Sequence, residues 1–310
     1  MKLLKYPLSF YIKNSTIHYF LYHPIELLVF YGKILYLRYI LPMVHGDYNC
    51  MSNQKSMVPI DVVITTVGKD IDVLPIVIHS IRHCIRHPIN TIFIVAPASQ
   101  RIMTLSKRNQ CKFIDEDTVL PIKKNDLRYA VNGTDRSGWI FQQLLKFSAD
   151  TFCTSSHILI TESDTVYVRP HIFMKKGKVI FSCSNRISHI PYFEMYKKLF
   201  HTRMPAYENL TSHHMLYTRK NLIQMKKCIE RSCHRVWWQA IIDRLYIHEG
   251  SCISDYDTYG HYVLSVMRKM VIFEYWFNLS LSRQYLSSLE KLIGQYRKQY
   301  KTVSFHSYEI

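Results

Sequence analysis

Two carboxylates, Glu162 and Asp164, stand on either side of Ser163 at the end of the apolar run Ile158-Leu-Ile-Thr161. In an extended chain residues i and i+2 point to the same side, so the pair can jointly present hard oxygen ligands to Mg2+ or Mn2+. A cation held there would bridge a diphosphate, and neutralising the charge on a departing nucleoside diphosphate lowers the barrier to its release. An isolated acid-x-acid also occurs as a solvated turn, so context has to decide. Asp255 and Asp257 repeat the spacing in Ser254-Asp255-Tyr-Asp257-Thr-Tyr-Gly260. Either could orient an acceptor hydroxyl and take its proton, or Ser254 or Asp255 could cap a helix running through Tyr259 to Val266. Gln142 and Lys146 fall four apart on one helix face with Arg136 just upstream, a set able to hydrogen-bond hydroxyls or phosphate together. Trp237-Trp238 could stack on a sugar ring or fill a core.

Elements that would hold these residues follow from the apolar pattern. Asp61 to Val67 reads as a short buried strand ending at Gly68. Leu74, Val77, Ile78, Ile81 and Ile85 recur at helical spacing, His87-Pro88 stops them, and Thr91 to Ala96 gives a second apolar strand. This β-α-β unit implies a parallel sheet whose carboxyl strand ends form the ligand crevice. A third strand is predicted at Lys112 to Ile114, a helix over Gly138 to Ala149, and strands at Ile158 to Thr161 and Lys178 to Cys183. Helices are then predicted at Tyr192 to Leu199, Arg219 to Arg231 and Val236 to Leu245. Leu286, Leu289, Leu292 and Ile293 share one face of a predicted closing helix between Arg283 and Lys301. The expected fold is α/β, a mostly parallel central sheet flanked by helices with a helix-rich C-terminal half.

In this order the motifs resemble the GT-A class of nucleotide-diphospho-sugar transferases, whose first strand carries a Val-Ile-Thr-Thr-like sequence and whose metal motif, usually Asp-x-Asp, follows a central strand. Here the motif is Glu-x-Asp. The chain is most similar to a bacterial group of predicted glycosyltransferases with a Gly-Trp-x-x-Gln-Gln-x-x-Lys helix, present as Gly138-Trp139-Ile-Phe-Gln142-Gln143-Leu-Leu-Lys146, and with counterparts of Ser212-His213-His214-Met215 and of Ser254 to Gly260. The resemblance covers about Asp61 to Tyr262. It implies a Rossmann-like GT-A domain and a divalent cation, Mn2+ or Mg2+, at Glu162 and Asp164. Asp164 would be the stronger ligand, and His213 or His214 would complete the set. It also implies a nucleotide-sugar donor lying near Thr65, Thr66 and Gly68 and contacted by Arg136, Trp139, Gln142, Lys146 and Ser163, with Asp255 or Asp257 as catalytic base. The acceptor expectation rests instead on charge, a basic N-terminal arm suiting transfer to a glycan or to a lipid-linked or cell-envelope acceptor.

Length and composition are compatible with this reading. A chain of 310 residues, 48% apolar, can hold one large core with additions. A formal charge of +17 favours anionic partners. No phosphate loop, zinc-finger spacing or RNA-recognition signature accompanies it, so no specific nucleic acid is expected. A basic nucleic-acid-binding protein and a sugar-nucleotide-binding protein without catalysis are the rival classes. The eight scattered Cys form no C-x-x-C pair and suit a reducing compartment. The expected organisation is an N-terminal basic and aromatic helical arm over 1–50, a catalytic domain over 58–270, and a C-terminal amphipathic helix over 271–310 packing on it. Tyr19 to Val44 is apolar but interrupted by Glu26, Lys33 and Arg38, unlike a signal peptide or a membrane span. It reads as a helix lying on an anionic membrane surface or as an arm packed on the protein, with a cytoplasmic or peripheral location.

Overall fold

The computed structural model describes residues 24–45, 54–246 and 248–306. Residues 1–23 and 46–53 of the expected arm and linker lie outside the described residues. The N-terminal helix α1 (Pro24–Leu35) runs through a π-helical turn, Tyr36–Ile40, into a short helix α2 (Leu41–His45).

The central sheet begins with β1 (Ile60–Thr65), α3 (Leu74–Cys84), β2 (Ile89–Ala96), α4 (Gln100–Arg108) and β3 (Lys112–Asp115), the parallel crossover pattern read from the sequence. A small hairpin, β4 (Ala130–Val131) with β5 (Thr134–Asp135), leads into α5 (Ser137–Phe147) and the strand β6 (His157–Glu162). Then come β7 (Thr165–Tyr167), β8 (Met174–Lys175), β9 (Lys178–Cys183), α6 (Ile190–Phe200), β10 (His214–Thr218), α7 (Arg219–Cys233), α8 (Trp237–Ile242) and α9 (Asp255–Met267). The chain continues through β11 (Val271–Tyr275), β12 (Asn278–Ser282), α10 (Leu289–Tyr296) and β13 (Thr302–His306). In the five-stranded sheet the order is β10-β6-β1-β2-β3, with β10 antiparallel to β6 and the other neighbours parallel.

Every residue of β1 is buried, as a strand covered on both faces must be. Successive side chains alternate sides. Val63 accordingly joins a core with α5, α6, α7 and α9, while Val62 and Ile64 join a second core with α3 and α4. The first core also receives Phe30, Ile34, Leu37 and Leu41 from the N-terminal helices, so this part of the arm packs on the domain.

The C-terminal expectation needs correction. Among the described residues of that segment, 271–306, helix is confined to a 3-10 stretch, Arg283–Ser288, and α10, and three strands occupy most of the rest. β11 runs parallel to β9, and β13 lies between β12 and β7. Apolar residues at helical spacing were present, but the β-branched and aromatic run Thr302-Val-Ser-Phe-His306 was a strand signal.

Candidate active site

Register in the central sheet sets two expected site segments side by side. Thr65 pairs with Glu162, so the first strand and the acidic strand end at the same level. A cavity of about 360 Å3 opens there, lined by residues from both strand ends, from the 3-10 turn Gly68–Asp70, and from α5. It contains Thr65, Thr66, Arg136, Trp139, Gln142, Glu162, Ser163 and Asp164, eight of the residues singled out from sequence. Gly138 also lines it, and a Cβ built on Gly138 would stand 3.2 Å from Lys124 Cε, so the glycine lets that lysine close over the helix start. The Arg136 guanidinium lies 4.9 Å from the Trp139 ring centroid and its Nε donates to the Gly250 carbonyl at 2.7 Å, which fixes a cation and an aromatic plane together on the wall. Lys69 and Lys124 add two further cations.

Thr65 is buried, faces the cavity, and its hydroxyl has no hydrogen-bond partner among the described residues. A buried polar atom of this kind costs about 1–3 kcal/mol unless something pairs with it, so it marks a place for a ligand atom or water. Ser163 is differently employed, its hydroxyl donating to Asp70 Oδ2 at 2.7 Å. Gly68 sits between two lining residues without lining the cavity itself, and apart from those two chain neighbours no described residue comes within 4 Å of where its Cβ would stand.

Asp164 forms a second feature with two histidines. One ligand atom each from Asp164, His213 and His306 lies within 4.8 Å of the other two. Asp164 Oδ2 is 3.1 Å from His306 Nδ1, and the His213 and His306 ring centroids are 5.1 Å apart. His306 comes from β13, whose antiparallel pairing sets Ser304 opposite Thr165 and lets the Phe305 amide donate to the Asp164 carbonyl at 2.9 Å. His213 has φ of 60°, a left-handed backbone uncommon for a residue with a side chain. Its carbonyl accepts from the Glu162 amide at 3.0 Å, and its ring lies 4.8 Å from that of Trp276.

The donor set fits a divalent cation. Burial opposes the charge on Asp164, but the hydrogen bond from His306 and the positive charge around it, including Arg283, outweigh it and hold the carboxyl below its ordinary range. Burial pushes His213 down to about 4 despite the nearby carboxylates of Glu162 and Asp164, so its ring is neutral at physiological pH, as a metal ligand must be.

Other expected residues sit elsewhere. Glu162 is outside the three-ligand group; its Oε1 accepts from Lys146 Nζ at 2.5 Å and from the Tyr256 hydroxyl at 2.9 Å. Lys146 does not line the cavity, because its side chain is 1% exposed and its ammonium is spent on Glu162 and, at 3.3 Å, on Asp255. Its influence on the site passes through Glu162. His214 is turned into the core, where Nε2 is 3.2 Å from Ser182 Oγ and the ring packs among Tyr167, His171 and Phe173. His214 is the first residue of β10, whereas His213 precedes the strand in a left-handed conformation and takes its ring to Asp164 instead.

Asp255 and Asp257, proposed from sequence as bases, are buried at the start of α9 and neither lines the cavity. Asp255 accepts from the Tyr217 hydroxyl at 2.9 Å and its amide donates to Gln143 Oε1 at 2.8 Å. Asp257 accepts from Ser188 and Thr211 hydroxyls, both at 2.5 Å, and lies 3.6 Å from His261. Ser254 is the helix cap, accepting from the Asp257 amide at 3.2 Å. Trp237 is buried in the first core with Trp238 packed against it, the core alternative for that pair.

Residues missed by the sequence reading are His306, Lys69, Asp70, Glu116 and Lys124. Asp70 lines the cavity and pairs with Arg283 from the C-terminal segment. Glu116, at the end of β3, also lines it, and burial with the neighbouring Asp117 pushes its carboxyl up to about 7. The acidic cluster Asp115-Glu116-Asp117 was the one local signal for it.

Residues 57–301 match a family described as of unknown function, DUF6492. The chain belongs to that family. No curated protein matches this DUF6492 member. Among solved structures it is similar to mouse xyloside xylosyltransferase 1 in its apo form, with 12% identity and a TM-score of 0.46, over 81% of this chain and 98% of that one. It is also similar to the galactosyltransferase LgtC in complex with donor and acceptor sugar analogs, with 10% identity and a TM-score of 0.43, over 80% and 87% of the two chains. The apo glycosyltransferase GlyE of Streptococcus pneumoniae TIGR4 gives 9% identity and a TM-score of 0.40, over 81% and 55%. At these scores the likeness decides nothing about activity.

Proposed function

We propose that this DUF6492 protein transfers a sugar from a nucleotide-diphospho-sugar donor to a glycan or lipid-linked acceptor. One observation carries the reading: a single cavity has cations and an aromatic ring on its wall and ends at Asp164, beside His213 and His306. Lys69, Lys124 and Arg136 suit a diphosphate, and Trp139 offers a face for a sugar or base. The Thr65 hydroxyl, buried without a hydrogen-bond partner among the described residues, stands at the end of β1 beside this cavity. Asp164, His213 and His306 would hold the divalent cation, and two imidazoles favour Mn2+ over Mg2+. When bound, such an ion neutralises the charge that develops on the leaving diphosphate. Lys146 and Tyr256 hold Glu162 at the cavity wall, where its carboxylate can orient a donor hydroxyl or reach the ion through water.

A screen of UDP-, GDP-, CMP- and dTDP-sugars with Mn2+ or Mg2+ tests this by calorimetry and by released nucleotide. One donor should bind only with the ion, and Asp164→Ala should abolish both signals. Preference for nucleic acid over every sugar nucleotide would overturn the reading. Binding without turnover is the second reading, favoured by the burial of Asp255 and Asp257 away from the cavity. Released nucleotide with a bound donor separates the two.

A further inference from the structure

The N-terminal helices are apolar on two opposite sides. Phe30, Ile34, Leu37 and Leu41 face the core, whereas Ile25, Leu28, Val29, Tyr36, Tyr39, Ile40 and Met43 follow each other at helical spacing on the far side and are exposed. Ile25 keeps 75% of its surface and Met43 keeps 86%. A helix apolar all round is normally buried, so the outer stripe calls for a cover.

That stripe is held in place. Lys33 pairs with Glu208 and lies 3.9 Å from the Phe273 ring centroid, Tyr207 donates to Glu26 at 2.8 Å, and Arg38 stacks over Tyr275 at 5.2 Å. The surroundings are basic. Arg268 and Lys269 are exposed in the turn before β11, which packs against Tyr36–Ile40. Exposed Lys197 and Arg203 line a pocket with Tyr207, the residue tied to Glu26. Exposed Arg186 acts electrostatically on Tyr275, beneath Arg38. Of the acids nearby, Glu26, Glu208 and Glu274 are engaged by Tyr207, Lys33 and Lys301, leaving Glu194 at the pocket.

We propose that this outer face lies in the surface of an anionic bilayer, with the apolar stripe among the acyl chains and the flanking bases at the headgroups. No helix among the described residues is long and apolar enough to cross a membrane, so the contact is interfacial. Tyr31, Tyr36 and Tyr39 are exposed on these helices, and each can lay its ring against the acyl chains while its hydroxyl stays at the headgroups. A second copy of the chain is the poorer occupant, because a two-fold contact would bring the same bases face to face.

The test is flotation of the full chain with phosphatidylcholine vesicles, with and without phosphatidylglycerol. Wild type should float with the anionic vesicles and be released by salt. Leu28→Glu with Ile40→Glu should lower partitioning by about a hundredfold, and Arg268→Gln with Lys269→Gln by about tenfold. All four positions are exposed, so the thermal midpoint should not move; Leu28→Ala with Ile40→Ala, giving a smaller loss in the same direction, serves if the charged pair fails to fold. Undiminished flotation of the outer-face variants, no flotation of wild type, or a wild-type dimer that these variants dissociate would each overturn the proposal. Vesicle binding is read without any donor, so its outcome is independent of the chemistry at the cavity.

Discussion

Replacing Lys146 by Met should make the protein's stability strongly pH-dependent. The ammonium stands between two carboxylates, Glu162 at 2.5 Å and Asp255 at 3.3 Å, with side-chain exposures of 1% for Lys146, 21% for Glu162 and 2% for Asp255. Burial disfavours the lysine's charge, but the two acids outweigh it and hold the ammonium charged. One cation cannot fully serve two anions. Burial, with Glu162 opposed by Lys146, pushes Asp255 up to about 6. A carboxyl raised from its unfolded value near 3.9 leaves stability untouched below that value, costs increasingly as pH rises toward the folded value, and costs a constant amount above it.

Removing one partner of a buried pair costs about 3–5 kcal/mol when the remaining charge cannot escape. In Lys146→Met the Asp255 value moves further up, so the variant should lose that amount relative to wild type at pH 8. At pH 5 Asp255 is protonated in both proteins, and the difference should shrink to the Lys146–Glu162 pair, about 1 kcal/mol because Glu162 is partly solvated. Urea unfolding followed by tryptophan fluorescence at both pH values measures this. Adding Asp255→Asn should recover most of the loss at pH 8, since the amide can still accept from Tyr217. A loss below 1 kcal/mol at pH 8, or an equal loss at both pH values, would refute the account of the buried triad.

His306→Ala should remove the Mn2+-induced rise in thermal midpoint while leaving the midpoint in EDTA within a few degrees, checked by differential scanning fluorimetry. Without metal, stability should fall as pH drops from about 6.5 toward 4, because His213 stays neutral when folded and charges when unfolded; His213→Asn, which tolerates the left-handed backbone, should flatten that slope in EDTA. Gly260→Ala should cost about 1–3 kcal/mol, since the new Cβ would lie 2.4 Å from Leu210 Cδ1, and Leu210→Ala should make the change milder in chemical denaturation. Trp139→Ala with Arg136→Ala should weaken nucleotide binding at least tenfold by calorimetry at a temperature well below the variant's own thermal midpoint, which should fall because Trp139 packs on the core and Arg136 holds Gly250.

The parallel sheet was legible because β1, β2 and β6 are continuous apolar runs with turn residues at their ends, and local pattern governs such elements. Thr65, Ser163 and Asp164 were legible for the same reason: strand ends in one parallel sheet meet at one level. What the sequence hid depends on distant pairing or on direction. His306 reaches Asp164 through pairing of β13 with β7, which no local spacing reports. Lys146 and Gln142 lie four apart, yet a small rotation about the helix axis sends Gln142 to the cavity and Lys146 inside. Asp255 and Asp257 were indistinguishable from cavity carboxylates until their donors Tyr217, Ser188 and Thr211 could be seen. Half of the cap alternative was right, in Ser254.

The hydrogen bond between Asp164 and His306 joins residues 142 positions apart in the chain. Closing a loop of that length costs roughly 4 kcal/mol of chain entropy, offset in part where Arg283 of the same segment pairs with Asp70 at the cavity wall. A partly folded chain could therefore have its first strands, and even a nucleotide cleft, while lacking any place for an ion. An ion at a hundred times its dissociation constant adds about 2.7 kcal/mol to the state that holds it, more than half of that closure. The cation would thus act as a clasp on the last strand as well as a reagent, and its depletion should free the C-terminal segment first.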